Sequence, residues 1–234
     1  MAAHHPAAAC VFVAGSRRRG EATPHSDLDL VVIYPHLPAA WRESLIFEGQ
    51  PVEAFVHDPQ TLRYFFEAVD RPGGVPSLIR MVAEGLPLPG PSPLSESLQQ
   101  LACEILAAGP PLWTSAEREA ARYAVSDSLD DLRSPRSRAE QLASASRLYG
   151  QLATYYLRSQ GHWDAHGKGI PRQLQALNPK AAAAFEAAFE ALFAQGELAP
   201  LLALCETWLA PDGGLLFDGF RREAPPDWRQ LPDS

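Results

Sequence analysis

The chain has 234 residues, 46% of them hydrophobic, and a formal net charge of −8. That length supports one large domain or two small ones with real cores, and the acidic balance argues against a broad surface for nucleic-acid phosphates while leaving room for a local basic patch. Cys10, Cys103 and Cys205 are far apart and show no zinc or disulfide spacing, which suits a reducing compartment; Cys103 and Cys205 fall in apolar helical patterns and read as core residues.

The opening MAAHHPAAACVFVAG has no basic n-region and only a short apolar stretch, so it does not read as a signal peptide. No apolar run approaches ~18 residues, so no membrane span is expected and the cytoplasm is the default location. ACVFVAG then reads as a buried strand, and DLDLVVIY as a second, rich in β-branched residues and stopped by Pro35. WRESLIFEG fits either a short helix or a strand, and PVEAFVH reads as a further strand. Asp58-Pro59 looks like an N-cap with proline at N1, opening a helix to about Val69. Another helix is expected from Pro76 to Glu84, closed by Gly85, and GLPLPG suits a short edge strand.

Residues 87–93, PLPGPSP, carry four prolines and read as a linker. Beyond them apolar residues recur at three- and four-residue spacing, and helices are expected near 94–108, 114–133, 137–160, 170–177, 179–195 and 197–209. Thr114-x-x-Glu117 and Ser137-x-x-Glu140 have capping-box form, and Asn178-Pro179 looks like another helix start. The short loops favour antiparallel neighbours, hence a bundle. The tail after about Asp212, rich in proline and charge, is expected to be loosely held. The fold class is α+β: a mixed sheet flanked by helices in residues 1–90, then an antiparallel helical bundle in 91–234.

Residues 15–30, GSRRRGEATPHSDLDL, carry the chemistry. Side chains two apart on a strand share a face about 6.5–7 Å apart, so Asp27 and Asp29 face one side while Leu28 and Leu30 pack on the other. Glu53, opposite in parity to Val52, Ala54 and Val56, can join them. Three ionised carboxylates at roughly 5 Å repel by on the order of 3 kcal/mol per pair at an effective dielectric of 20. Shared protons relieve this, and a divalent cation with hard oxygen ligands relieves it better. Gly15 permits a tight turn with its backbone near a ligand, the N–H groups from Ser16 onward can form an anion nest, and Arg17, Arg18 and Arg19 bring guanidinium charge close by.

Gly15-Ser16, ten residues, then Asp27-x-Asp29, with Glu53 in a later hydrophobic strand, resembles the signature of the nucleotidyltransferase superfamily with the DNA-polymerase-β-like fold. The whole chain is similar in plan to kanamycin nucleotidyltransferase and related two-domain bacterial aminoglycoside adenylyltransferases. The motif spans about a quarter of the sequence, and the match to the bundle is architectural only. One departure stands out: such proteins usually have a helix before the first strand, and here only MAAHHPAAAC precedes it. The resemblance implies that residues 1–90 are the catalytic domain and that Ser16, with Gly15, Arg17 and Arg19, holds a triphosphate. It further implies that Asp27 and Asp29 bind Mg²⁺, two ions in all, and that Glu53 completes the site or helps activate the acceptor hydroxyl. The reaction implied is transfer of a nucleoside monophosphate, AMP from ATP, to a hydroxyl of a small acceptor such as an aminoglycoside, releasing pyrophosphate, with the acceptor bound between sheet and bundle.

Other residues carry two readings each. Asp127 and Asp131, four apart on the polar face of a helix, either form a solvated face or supply a general base or a contact to a cationic acceptor, with Glu140 a weaker candidate. Lys168, between two glycines, is either a surface lysine or a phosphate ligand from the second domain. His25 and His57 read as surface residues, and Tyr155 and Tyr156 as core. Two alternative functions compete. One is a protein-adenylylating enzyme like the minimal nucleotidyltransferase antitoxins that modify a HEPN-type ribonuclease, although those are single small domains. The other is a non-catalytic nucleotide-binding module, which the intact Asp27, Asp29 and Glu53 argue against. Arg158 to His162 and Arg158 to His166 have the wrong spacing for the ribonuclease motif itself. Oligomeric state is left open.

Overall fold

The structure, a computed structural model, describes residues 4–229. Its residues group into two compact units, Met1–Pro111 and Leu112–Ser234. In the first, among the described residues, five strands form one mixed sheet: β1 (Cys10–Ala14), β2 (Leu28–Ile33), β3 (Trp41–Phe47), β4 (Gln50–His57) and β5 (Leu86–Leu88), in the order β3-β4-β2-β1-β5. β2 and β4 run parallel, and the other neighbours are antiparallel. The ambiguous WRESLIF segment is a strand, because Glu48 and Gly49 both take positive φ and turn the chain straight back, pairing Phe47 with Gln50. Two central residues with φ > 0 are what a tight hairpin twisted like its strands requires.

Period-two alternation sorts the sheet's side chains. Leu30, Val32, Val52, Ala54 and Val56 form one buried apolar cluster, against which Ala8, Tyr34, Leu37, Leu45 and Phe47 pack. Asp29, Val31, Glu53 and Phe55 are therefore on the opposite face. Residues 4–9, ahead of β1, form turns rather than a helix. His5 in this segment is buried, with Nδ1 hydrogen-bonded to the Tyr34 hydroxyl at 3.0 Å and Nε2 3.2 Å from Glu43.

After β4 the chain enters α2 (Pro59–Tyr64), continues through a π-helical stretch at Phe65–Asp70 and the short α3 (Arg71–Gly73), and then forms α4 (Ser77–Ala83). Asp58 is the N-cap of α2 and is 2% exposed. Its Oδ1 accepts the Thr61 N–H at 2.8 Å and its Oδ2 the Leu37 N–H at 2.9 Å, while the Thr61 hydroxyl accepts the Asp58 N–H at 2.9 Å. Asp70, at the end of the π-helical stretch, reaches the first turn of α4, its Oδ2 accepting the N–H groups of Leu78 and Ile79. α5 (Pro93–Ala108), just beyond the proline-rich segment, lies in the first unit; Ser92 and Ser95 form its capping box. Cys103 is exposed on α5, contrary to its apolar-pattern reading, whereas Cys205 is buried and its thiol is pushed up to about 12 by burial, with Glu206 adding to it.

The second unit is helical: α6 (Ser115–Arg133), α7 (Arg138–Ser159), α8 (Gly169–Leu177), α9 (Pro179–Glu190) with a π-helical extension at Ala191–Gln195, and α10 (Ala199–Leu209). Its core brings together Leu129, Leu148, Leu152, Tyr155, Phe185 and Phe189. Thr114 and Glu117 form the reciprocal box expected of them. Ser137 caps α7, but the Glu140 carboxylate accepts the N–H of Arg136 instead of that of Ser137. The tail is held as far as Phe220, where the sequence suggested looseness. The Asp212 carboxylate receives the Tyr155 hydroxyl at 2.5 Å and Arg118 Nη1 at 3.2 Å, the Leu216 N–H donates to Ser126, and Phe220 stacks on Tyr123 with ring centroids 3.9 Å apart. Residues 230–234 of that tail lie outside the described residues.

Asp58 supplies the test of the first unit. Burial pushes its carboxyl up, but the backbone N–H groups of Thr61 and Leu37 outweigh that and leave it below the ordinary carboxylate range. A carboxyl lowered in the folded state adds stability that is present above its unfolded pKa and lost as pH falls through the folded value. We expect Asp58→Ala to cost about 2 kcal/mol near neutral pH. Urea unfolding should show that gap narrowing once pH drops below ~4; a gap independent of pH down to acid unfolding would refute the assignment.

Candidate active site

β1 and β2 run antiparallel with Ala14 opposite Asp29, so the end of β1 delivers Gly15 directly onto the start of β2. Gly15 opens a single helical turn, α1 (Gly15–Arg18), with φ of +73°. A Cβ built on Gly15 would sit 1.8 Å from Asp29 Oδ2. Glycine is thus required twice over, by the left-handed backbone and by the carboxylate against it.

The parallel register of β2 and β4 sets Asp29 beside Glu53. Asp27 stands two residues earlier, just before β2. One carboxylate oxygen from each of Asp27, Asp29 and Glu53 lies within 4.8 Å of the other two, and all three residues are half-buried. Among the described residues this is the only such group of three acidic, histidine or cysteine side chains. At this separation each like-charge pair costs on the order of 3 kcal/mol at an effective dielectric of 20, before screening. Three hard oxygen donors on half-buried residues fit a magnesium-type cation, which takes a few carboxylates and fills its other positions with water or phosphate. Asp27, Asp29 and Glu53 are the residues that would hold it.

The arginines divide their work. The Arg17 guanidinium turns inward. Its Nε donates to the carbonyls of Ser26 at 3.1 Å and Asp27 at 3.2 Å, and its Nη2 donates to Ser26 O at 2.6 Å and Gln50 Oε1 at 2.7 Å. It therefore fixes the backbone that carries Asp27 and ties it to the start of β4. Arg18 is exposed. Arg19 is exposed too, 3.2 Å from Glu21 and 3.6 Å from Glu84. Ser16 is half-buried on the turn beside the carboxylates.

Arg42 is the residue that sequence reasoning missed. It is on β3 opposite Phe55, lies 5.1 Å over the Phe55 ring, and is ion-paired through Nη2 to Glu53 Oε1. The clue was the Glu48-Gly49 turn: a hairpin there puts Arg42 and Ser44 on the same face as Glu53.

The other expected residues have their own surroundings. His25 is exposed, as expected. His57 is not a surface residue; it is buried edge-on against Phe65 at 5.1 Å, and burial holds its imidazole below the ordinary value despite the pull of Asp58. Lys168, Asp127 and Asp131 are residues of the second unit. Lys168 is exposed immediately before α8, Asp127 is 3.8 Å from Arg147, and Asp131 is exposed one turn further along α6.

We expect Gly15→Ala to lower the melting temperature, since the left-handed conformation alone costs about 1–2 kcal/mol, and to weaken Mn²⁺ binding because Asp29 must move. Calorimetry on the two proteins tests this; unchanged Mn²⁺ affinity would show that Asp29 does not depend on the turn.

Residues 3–68 match the family described as nucleotidyltransferase domain. The crystal structure of a nucleotidyltransferase-like protein from Exiguobacterium sibiricum 255-15 is similar over 91% of this chain and 73% of that one, at 15% sequence identity and a TM-score of 0.46. No curated protein matches the sequence. Among the described residues no helix is long and apolar enough to cross a membrane. The residues that build the carboxylate site thus lie within the stretch that is similar to the nucleotidyltransferase domain family.

Proposed function

We propose that the protein transfers AMP from ATP to a hydroxyl of a small-molecule acceptor, with Mg²⁺ held by Asp27, Asp29 and Glu53. The observation that carries this reading is the convergence of those three carboxylates within 4.8 Å, beside a Gly15 turn with no room for a side chain. Mg²⁺ held by these carboxylates would neutralise phosphate oxygens and stabilise the charge that develops in a displacement at phosphorus.

The chain's own residues do the rest. Gly15 lets the backbone approach a triphosphate closely, and Ser16 offers its N–H and hydroxyl as donors. Arg19 adds guanidinium charge nearby. Arg17, whose donors are engaged with Ser26, Asp27 and Gln50, acts by holding the Asp27 backbone in place. In the transfer, the acceptor oxygen bonds to the α-phosphorus, the bond from that phosphorus to the pyrophosphate oxygen breaks, and the hydroxyl proton passes to a base. The net charge of −8 favours encounter with a polycationic acceptor, of which an aminoglycoside is one class.

Pyrophosphate release with ATP, Mg²⁺ and a panel of hydroxyl acceptors tests the reading. Turnover with a small acceptor supports it. Label transferred only to a protein would replace it with protein adenylylation, and ATP binding without turnover with any acceptor would leave a binding module. Asp27→Asn and Asp29→Asn are expected to lower turnover about a thousandfold, the order seen when a principal electrostatic group is removed. Their thermal stability should be unchanged or higher, because a like-charge repulsion is gone. Activity retained in both variants would refute the metal assignment.

A further inference from the structure

Glu53 has a cation of the chain's own beside it. Arg42 Nη2 pairs with Glu53 Oε1. The carboxylate side of the pair is well shielded, at 18% exposure, while the arginine is 61% exposed. Arg42 lies on β3, the edge strand of the sheet, and its guanidinium rests over the Phe55 ring. The planar group thus has a seat on an aromatic face as well as a carboxylate to hold. β3 and β4 are joined by the two-residue Glu48-Gly49 turn, so the register that puts Arg42 opposite Phe55 and Ser44 opposite Glu53 is rigidly set. The pairing is built into the hairpin.

Glu53 Oε1 cannot give the same lone pairs fully to a guanidinium and to a divalent cation. The two compete for one oxygen and repel one another. We propose that Arg42 is an internal counterion of the carboxylate site: it neutralises Glu53 when no metal is there, and a metal ion must displace it from Glu53 to gain its third carboxylate. Arg42 is therefore a positioning residue that sets the affinity of the site for its cation. An exposed guanidinium on an edge strand moves aside without disturbing the core, which makes the exchange reversible. This rests on the metal reading given above.

The test is direct Mn²⁺ titration, followed by the paramagnetic signal of the unbound ion, with no nucleotide and no turnover. Arg42→Gln should bind Mn²⁺ roughly twofold to fivefold more tightly than the wild type, the upper part of the range for a partly screened charge pair. Arg42→Lys, which keeps the charge, should bind more weakly than Arg42→Gln. In a Glu53→Gln background the Arg42→Gln change should lose its effect, since the competition acts through that carboxylate. Unchanged or weaker binding by Arg42→Gln, equal tightening by lysine and glutamine, or the same tightening with and without Glu53 would each overturn the proposal. Asp29→Asn separates the two levels. If the wild type binds no Mn²⁺ that this variant loses, the metal reading fails and the counterion role falls with it; if that control holds and Arg42→Gln has no effect, only the counterion role fails.

Discussion

The packing of three carboxylates into one small volume is the constraint on which the first unit turns. Left alone, Asp27, Asp29 and Glu53 would push apart, and nothing in a stable core calls for them. The surrounding fold is arranged to hold them together. Two parallel strands set Asp29 beside Glu53. Arg17 grips the carbonyls ahead of β2, and Gly15 gives up its side chain so that the Asp29 carboxylate has space. Each of these spends stability or conformational freedom on a geometry that would be unfavourable without a cation to neutralise it.

The cations of the chain are used unequally around this point. Of the three arginines in the turn, Arg17 faces inward and acts on backbone, while Arg19 stays near glutamates at the surface. Arg42, from a strand across the hairpin, reaches the carboxylate site itself. Proximity in sequence was a poor guide here: Arg42 is 23 positions beyond Arg19, and only sheet pairing brings it to Glu53. A guanidinium on an aromatic seat beside a half-buried glutamate is a local device, separate from the global charge of the chain.

The second unit is held by more than its apolar core. The buried Tyr155 hydroxyl and Arg118 both reach Asp212, and the Leu216 N–H reaches Ser126, so the segment beyond α10 is stitched to α6 and α7. Burial and the adjacent Asp212 carboxylate push the Tyr155 phenol up, so it stays a hydrogen-bond donor across the working pH range. Proline and charge along that tail suggested looseness because composition reports only average preference, whereas a few specific polar contacts decide where a segment lies.

Much of this protein was legible in its sequence. The β-branched runs, the alternation of acids with leucines, the Gly15-Ser16 turn and the helical periodicity after residue 93 all express local rules, and the carboxylates of Asp27, Asp29 and Glu53 could be grouped from parity alone. What local rules could not supply was decided by tertiary pairing. WRESLIF was ambiguous because seven residues satisfy either period, and only its antiparallel seat on β4 made it a strand and aimed Arg42 at Glu53. His57 and Cys103 exchanged the expected surface and core places because burial depends on what packs over a residue, not on its neighbours in the chain. The steric dependence of Asp29 on Gly15 appears only when β1 and β2 are side by side, since a contact across a register is a property of the fold and not of either strand.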